Sequence, residues 1–355
     1  MAKGEYGPTS NWVLRQNGTL TVSGYGRSWN DSSNHFWRDY IPLIKRAYLE
    51  EGITDLIDRA FYNGSDFEEI LLPSTLTKIG SNAFANSALT DFGFIPVGVM
   101  EIGSNAFSGT NITEIDFPEG LVTIGSAVCD GCTLLTSVTI PSTVEFIGGY
   151  AFRNTAITEI ELPVSVKTLG PSWLSGTDTK NVYYEGTIDD WCTIDRGTMG
   201  NFNLYCNNVL QSSVTTNASV IKPYTFEHMR QLNSVSFTQD ISLPITSDYV
   251  FARSTILNVT FPQSVNVIPK YTFYYCQQRP NLVFLGNITE IGSSAFLMGA
   301  IGTIDFTHNT QVPAAVEDSS FRGCAVNQIL IPQSLYSQWY ADPAWDSVKD
   351  KLAAV

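Results

Sequence analysis

The feature that most constrains this chain is a phrase that returns at a fixed period. It reads Ile79-Gly80-Ser81-Asn82-Ala83-Phe84, then Ile102-Gly103-Ser104-Asn105-Ala106-Phe107, and the same frame recurs at 147–152 and 291–296. The last position of the phrase, the Phe slot, holds Phe61, Phe84, Phe107, Cys129, Phe152, Leu174, Phe226, Phe251, Phe273, Phe296 and Phe321. Successive slots lie 22 to 25 residues apart, except for a step of 52 between Leu174 and Phe226. Five residues before each slot stands an apolar residue, from Leu56, Ile79 and Ile102 through to Val316, with Thr246 the one exception. A period in the twenties is the mark of a solenoid, in which each unit stacks only on its neighbours.

Each unit also carries a phrase that ends in proline. Thr113-Glu114-Ile115-Asp116-Phe117-Pro118 and Thr158-Glu159-Ile160-Glu161-Leu162-Pro163 are examples. Apolar and polar residues alternate with period two, which predicts a strand with one buried face. Proline ends it because it has no N–H for the ladder. Stacked copies predict a parallel sheet on one face of the solenoid. The Ser-Asn-Ala-Phe stretch is too short for a helix of its own and predicts a short helical turn, with short strands, on the other side.

One unit cannot fold alone. Burying about five apolar side chains contributes roughly 1.5–3 kcal/mol each. Ordering the backbone of one period costs roughly 1–2 kcal/mol per residue, which is more. The 43% apolar and 15% charged composition supplies a core and argues against disorder. The formal charge of −14 disfavours a nucleic-acid partner, since no basic cluster offsets it. No apolar run approaches the ~20 residues of a membrane span, so membrane insertion is not expected.

These phrases resemble the BspA-like, Treponema-type leucine-rich repeat, and the resemblance covers nearly the whole chain, about residues 12–352. It implies a leucine-rich-repeat solenoid with a β-rich N-terminal cap at 1–50, repeats at 51–332 with an insertion at about 186–209, and a helical C-terminal cap at 333–355. Trp12 and the run Asn17-Gly18-Thr19-Leu20 match the first cap; Trp339 and Trp345 match the second. Asn-Gly also reads independently as a hairpin turn. The resemblance further implies a bacterial protein, secreted or at the cell surface, engaged in adhesion to host matrix proteins or other bacteria. The start, Met1-Ala2-Lys3-Gly4, lacks the apolar core of a signal peptide, so the expected location rests on the resemblance alone.

The insertion contains Val182-Tyr183-Tyr184 and Asp189-Asp190-Trp191, then runs to Leu204-Tyr205-Cys206. It predicts a strand, a short helix around 189–194, a loop and a return strand. Insertions in repeat proteins often carry binding, and the simpler alternative is a decorated repeat whose Trp191 packs on the solenoid.

No residue pattern points to catalysis. Cys129 and Cys132 form a single C-x-x-C with no second pair and no nearby histidine. Cys132, Cys276 and Cys324 fall three residues after a Phe slot, where Ser87, Thr110, Thr155 and Ser254 stand in other units, which predicts buried structural thiols in an inward ladder. His35, His228 and His308 form no ligand or triad spacing. No phosphate loop or other cofactor motif is present, and no metal site is expected.

Two candidate binding sets remain. In five successive units the residue before the first inward apolar is Glu69, Asp91, Glu114, Ser137 and Glu159; Asp116 and Glu161 lie two residues further on. With strands about 4.8 Å apart these carboxylates form an acidic stripe on the open sheet face. Like charges side by side cost stability. A stripe of this kind suits a basic protein surface, or calcium, or serves only to keep the sheet solvated. The second set is aromatic. Tyr183, Phe284 and Leu282 fall at outward strand positions by the same register count; Tyr271 and Tyr274 flank the Phe273 slot, and Trp191 lies in the insertion. Exposed aromatics anchor proteins or stack on sugars.

The expected function is macromolecular recognition by a preformed surface rather than enzymatic turnover, with a protein partner, host extracellular matrix among the candidates. A carbohydrate-binding module using the aromatics is the alternative, and a structural spacer in a larger surface assembly is another. Nothing in the residues sets the oligomeric state.

Overall fold

The computed structural model describes residues 1–7, 9–26, 37–241, 243, 247–317 and 319–355; Thr246 and His35 therefore lie outside the described residues. The chain forms two compact units, Met1–Lys180 and Asn181–Val355, and each is a leucine-rich-repeat solenoid.

In Met1–Lys180 the strands Ala2–Gly7, Ser10–Leu14 and Thr19–Gly24 form an antiparallel meander. Asn17-Gly18 makes its second turn, with Gly18 at φ +80°. Thr19–Gly24 then pairs in parallel with Arg46–Leu49, and that strand with Glu69–Leu71. Further along the repeat, Glu114–Asp116 and Ser137–Thr139 pair in parallel with Glu114 opposite Ser137. A second ladder of two-residue strands includes Asp55–Leu56, Lys78–Ile79 and Glu101–Ile102, then Thr123–Ile124, Phe146–Ile147 and Thr168–Leu169.

The Phe slot faces inward in every coil. Phe61, Phe84, Phe107, Cys129 and Phe152 are fully buried. The rings of Phe61 and Phe84 stack at 5.9 Å and those of Phe84 and Phe107 at 5.2 Å. The helical turn expected around the slot is realised as consecutive hydrogen-bonded turns. Tyr62 N–H donates to the Arg59 carbonyl at 3.2 Å and Gly64 N–H to the Phe61 carbonyl at 3.2 Å. The alternate N–H groups reach the next coil instead: Arg59 to Ser81, Phe61 to Ala83 and Asn63 to Ala85, at 2.7–2.9 Å. That pattern requires left-handed backbone two residues either side of the slot. Asn82 and Asn86 are at φ +55° and +57°, and Asn105 and Gly109 at +58° and +68°. Asn and Gly adopt this conformation at low cost, which is why they recur there.

The glycine of the repeated phrase has a different reason. A Cβ on Gly103 would lie 2.6 Å from the Cα of Ser81, and one on Gly80 would lie 2.5 Å from the carbonyl carbon of Ile57. The preceding coil passes directly beneath this position, so only a residue without a side chain lets the coils close to hydrogen-bonding distance.

In Asn181–Val355, strands Asn181–Tyr184 and Asn203–Cys206 pair in parallel, and Val209–Leu210 returns antiparallel to the second. Between them lies helix Ile188–Thr193, whose start is a capping box between Thr187 and Asp190. The main ladder continues through Ser213–Thr216, Ser234–Phe237, Asn258–Phe261, Asn281–Phe284, Ala300–Asp305 and Ala325–Ile331, all parallel. The final turns pack Trp339 and Trp345 out of solvent against Phe306 and Phe321, with ring separations of 5.6 and 5.5 Å. The segment expected to be helical ends in a strand, Leu352–Ala354, paired in parallel with Ala325–Ile331. A terminal coil without that strand would leave the backbone groups of Ala325–Ile331 open to edge pairing. Among the described residues no helix is long and apolar enough to cross a membrane.

Candidate functional site

On the open sheet face of Met1–Lys180, the parallel register sets one pair of the expected acidic stripe, Glu69 and Asp91, side by side. Arg46 opposes Glu69, Glu69 bridges to Asp91, and Glu114 opposes Ser137. Asp91, Glu114, Asp116, Glu159 and Glu161 are exposed and Glu69 is half-buried. Inward neighbours Ile70, Ile115 and Ile160 are at most 2% exposed, so in these three strands the apolar residue faces the core and the carboxylates face away. Arg46 Nε stands 3.9 Å from Glu69 Oε2. Among the described residues no cation reaches ion-pair distance of the other five carboxylates. No group of three or more His, Cys, Asp or Glu among the described residues is gathered to hold a metal ion.

The aromatic set divides. Tyr183 faces outward, half-buried, and stacks on Tyr205 of the neighbouring strand at 4.7 Å. Phe284 and Leu282 do not face outward: they are 1% and 0% exposed. Phe284 is stacked between Phe261 at 4.7 Å and Phe306 at 5.3 Å. In Asn281–Phe284 the outward residues are Asn281 and Val283. A register error of one residue reverses every side chain, and Leu-Val-Phe offers no polar residue to mark the outside.

Trp191 is also removed from the exposed set. It is fully buried, donates Nε1–H to the Thr225 carbonyl at 3.1 Å, and lies beneath the Arg196 guanidinium at 4.0 Å. Arg196 is itself 7% exposed, donates to the carbonyls of Ile194 and Trp191, and has its pKa drawn down to about 10 by burial.

Tyr271 and Tyr274 belong to a larger array than the sequence indicated. Tyr224, Tyr249 and Tyr271 occupy the left-handed position two before the slot in consecutive coils, at φ +56° to +61°. They stack face to face at 5.2 and 4.5 Å. Tyr274 meets Tyr271 edge-on at 5.9 Å, and the Arg253 guanidinium lies 5.0 Å over the Tyr274 ring. Both faces of the middle ring, Tyr249, are covered by its neighbours, while Tyr224 and Tyr271 each give one face to the stack.

Beside this array lies a polar cluster that sequence reasoning missed. Glu227 is 2% exposed, with Oε1 3.8 Å from His228 Nε2 and 3.9 Å from Arg253 Nη1. Nδ1 of His228 meets Asn201 Oδ1 at 2.7 Å. Burial pushes the Glu227 carboxyl up to about 7, and burial together with Arg253 and Arg230 pulls the His228 imidazole down to about 4. The signal was unreadable because Asn201 comes from the insertion, 27 residues away in sequence.

The cysteines are structural. All six are free, five are buried and Cys324 is half-buried. Cys132 Sγ donates to the Phe107 carbonyl at 2.9 Å and Cys276 Sγ to the Phe251 carbonyl at 3.0 Å. Thr110 and Ser254 donate their hydroxyls to the same two carbonyls from within the slot's own coil, three residues on. Burial raises the Cys129 thiol well above its ordinary value and takes Cys276 up to about 12.

Stacked parallel strands, a second ladder of two-residue strands and inward Phe columns define a leucine-rich-repeat scaffold. The chain belongs to the BspA-type leucine-rich-repeat family, whose repeat region matches six copies across residues 49–181 and 198–325. No curated protein matches it. Among solved structures it is similar to the pneumococcal vaccine antigen PcpA, with a TM-score of 0.53 and 16% identity over 99% of this chain and 97% of that one. It is also similar to a leucine-rich cell surface protein of Faecalibacterium prausnitzii, with a TM-score of 0.50 and 20% identity over 94% and 96% of the two chains. At these identities the likeness is one of fold.

Proposed function

We propose that the chain is an adhesin-like recognition scaffold, secreted or displayed at a bacterial surface, that binds a basic protein surface through the strand face of Met1–Lys180. The observation that supports this reading is that Asp91, Glu114 and Glu159 are exposed and, among the described residues, have no cation at ion-pair distance. A rigid β-face loses little conformational freedom on binding, so its contacts convert efficiently into affinity. The likeness to a cell surface protein and to a vaccine antigen supports the location. Host matrix proteins are the first partners to test.

The test is binding of the chain to immobilised matrix proteins and, in parallel, to neutral glycans. Saturable binding to a protein that a soluble basic competitor displaces supports the reading. Binding confined to glycans would replace it with the carbohydrate alternative, with Tyr183 and Tyr205 as the first residues to examine. Failure to bind any protein of the panel would favour a spacer role.

A further inference from the structure

One turn of the acidic face breaks the repeat, and it does so by exposing apolar surface. Between inward Ile70 and inward Leu72 stands one outward residue, Leu71; between inward Phe92 and inward Ile95 stand two, Gly93 and Phe94. The extra residue lies beyond the isolated bridge at Asp91, where no ladder pairing continues. Gly93 sits at φ +65°, where a residue with a side chain is strained, and its N–H is held by Asp91 Oδ1 at 2.8 Å. Asp91 keeps only an isolated bridge to Glu69 where its neighbours form strands. The extra residue leaves Phe94 outward, and its side chain is 66% exposed. Leu71, in the outward position one turn earlier, is 54% exposed and opposes Tyr48 in the register.

The same face carries Glu69, Asp91, Glu114 and Asp116. Two large apolar residues in water beside outward carboxylates are the pattern of a contact anchor with a polar rim. The rim has one sign of charge, which selects the partner's sign.

We infer that Phe94 and Leu71 are the apolar anchor of the protein-binding face, and that the occupant is an extended segment of a partner protein in which basic and apolar residues alternate along its sheet-facing side, that is, at every second position. Its apolar side chains cover Phe94 and Leu71 while its Lys or Arg side chains meet Asp91, Glu114 and Asp116. This inference rests on the strand-face reading above and adds the anchor and the alternation.

Binding of three synthetic peptides to the full chain tests it by fluorescence anisotropy: repeats of Lys-Ser-Leu-Ser, of Lys-Ser-Ser-Ser and of Glu-Ser-Leu-Ser, called below the Lys-Leu, Lys-Ser and Glu-Leu peptides, which place the named residues on one face. The Lys-Leu peptide is expected to bind at least about tenfold tighter than either of the others, a difference of about 1.4 kcal/mol. Phe94→Ser is expected to remove that advantage and leave the melting curve unchanged, because the side chain is largely in solvent. Leu71→Ser serves as a second variant. Equal binding of Lys-Leu and Lys-Ser, both lost when the four carboxylates Glu69, Asp91, Glu114 and Asp116 become amides, would overturn the anchor and leave the acidic-face reading standing. Lys-Leu binding unchanged by both Phe94→Ser and Leu71→Ser overturns it also, as does absence of binding by all three peptides.

Discussion

The thiol of Cys132 donates to the carbonyl of Phe107, 25 residues earlier in the chain, at 2.9 Å. It therefore ties one coil to the slot of the coil before it. Cys276 repeats the bond to Phe251. The thiols lie inside hydrogen-bonded turns, and burial pushes Cys129, Cys192, Cys206, Cys276 and Cys324 up in pKa. Thiolates are the reactive form, so these five sulfurs are held unreactive, while Cys132, whose thiol is lowered in pKa chiefly by its hydrogen bond with Cys129, is shielded by being fully buried. The native protein is expected to react with Ellman's reagent at Cys324 at most, and at all six cysteines once unfolded. Rapid native labelling of two or more would show that the turns open.

Gly103 tests the contact between coils. Gly103→Ala places a methyl against Ser81 of the coil below and is expected to destabilise by about 1–3 kcal/mol, measured by urea unfolding. Ser104→Ala, at an exposed neighbour, is expected to stay within about 0.5 kcal/mol. Equal effects would mean the coils are looser than the hydrogen bonds imply.

Phe284 and Trp191 separate packing from binding. Phe284→Ala is expected to cost about 3–5 kcal/mol, since it empties a column between Phe261 and Phe306. Trp191→Ala should do the same. A variant of either residue that kept full stability and lost only ligand binding would restore these residues to a surface role.

The difference between what was legible and what was not follows from range. The Phe slot and the residue five before it are local and periodic, and a residue such as Phe107 or Ile102 can be assigned inward from spacing alone. The left-handed positions were also written in the chain, as Asn82, Asn86, Asn105 and Gly109, although the stretch reads first as a helical turn. The acidic row of Glu114 and Glu159 follows from alternation in a strand with a polar residue at every second place. Leu282-Val283-Phe284 has one such marker, Asn281 just before it, so its register hangs on a single polar residue. Trp191 and Glu227 are covered by residues far away in sequence, Thr225 and Asn201 among them, and no local pattern reports that.

Glu227 and His228 predict opposed pH dependences. The carboxyl, raised to about 7 in the fold, contributes stability that is full below its unfolded value near 4.5 and is lost as pH rises through 7. The imidazole, lowered to about 4, contributes stability that is full above its unfolded value near 6.5 and is lost as pH falls through 4. Between pH 4.5 and 6.5 the two slopes, each about 1.4 kcal/mol per pH unit at most, nearly cancel. Glu227→Gln is therefore expected to leave a protein that gains stability as pH rises through this window, and His228→Gln one that loses it. Urea unfolding at several pH values reads the sign directly, and identical slopes in the two variants would contradict the account.

The central claim is that a protein partner meets the acidic strand face. The most direct measurement is the salt dependence of Kd for a matrix protein that binds, taken between about 50 and about 300 mM salt, for the chain and for a variant with Glu69, Asp91, Glu114 and Glu159 changed to Gln. The account predicts that affinity falls steeply with salt in the native chain, and that the variant binds weakly with little slope. Equal Kd and equal slope in the two proteins would place the partner elsewhere and contradict it.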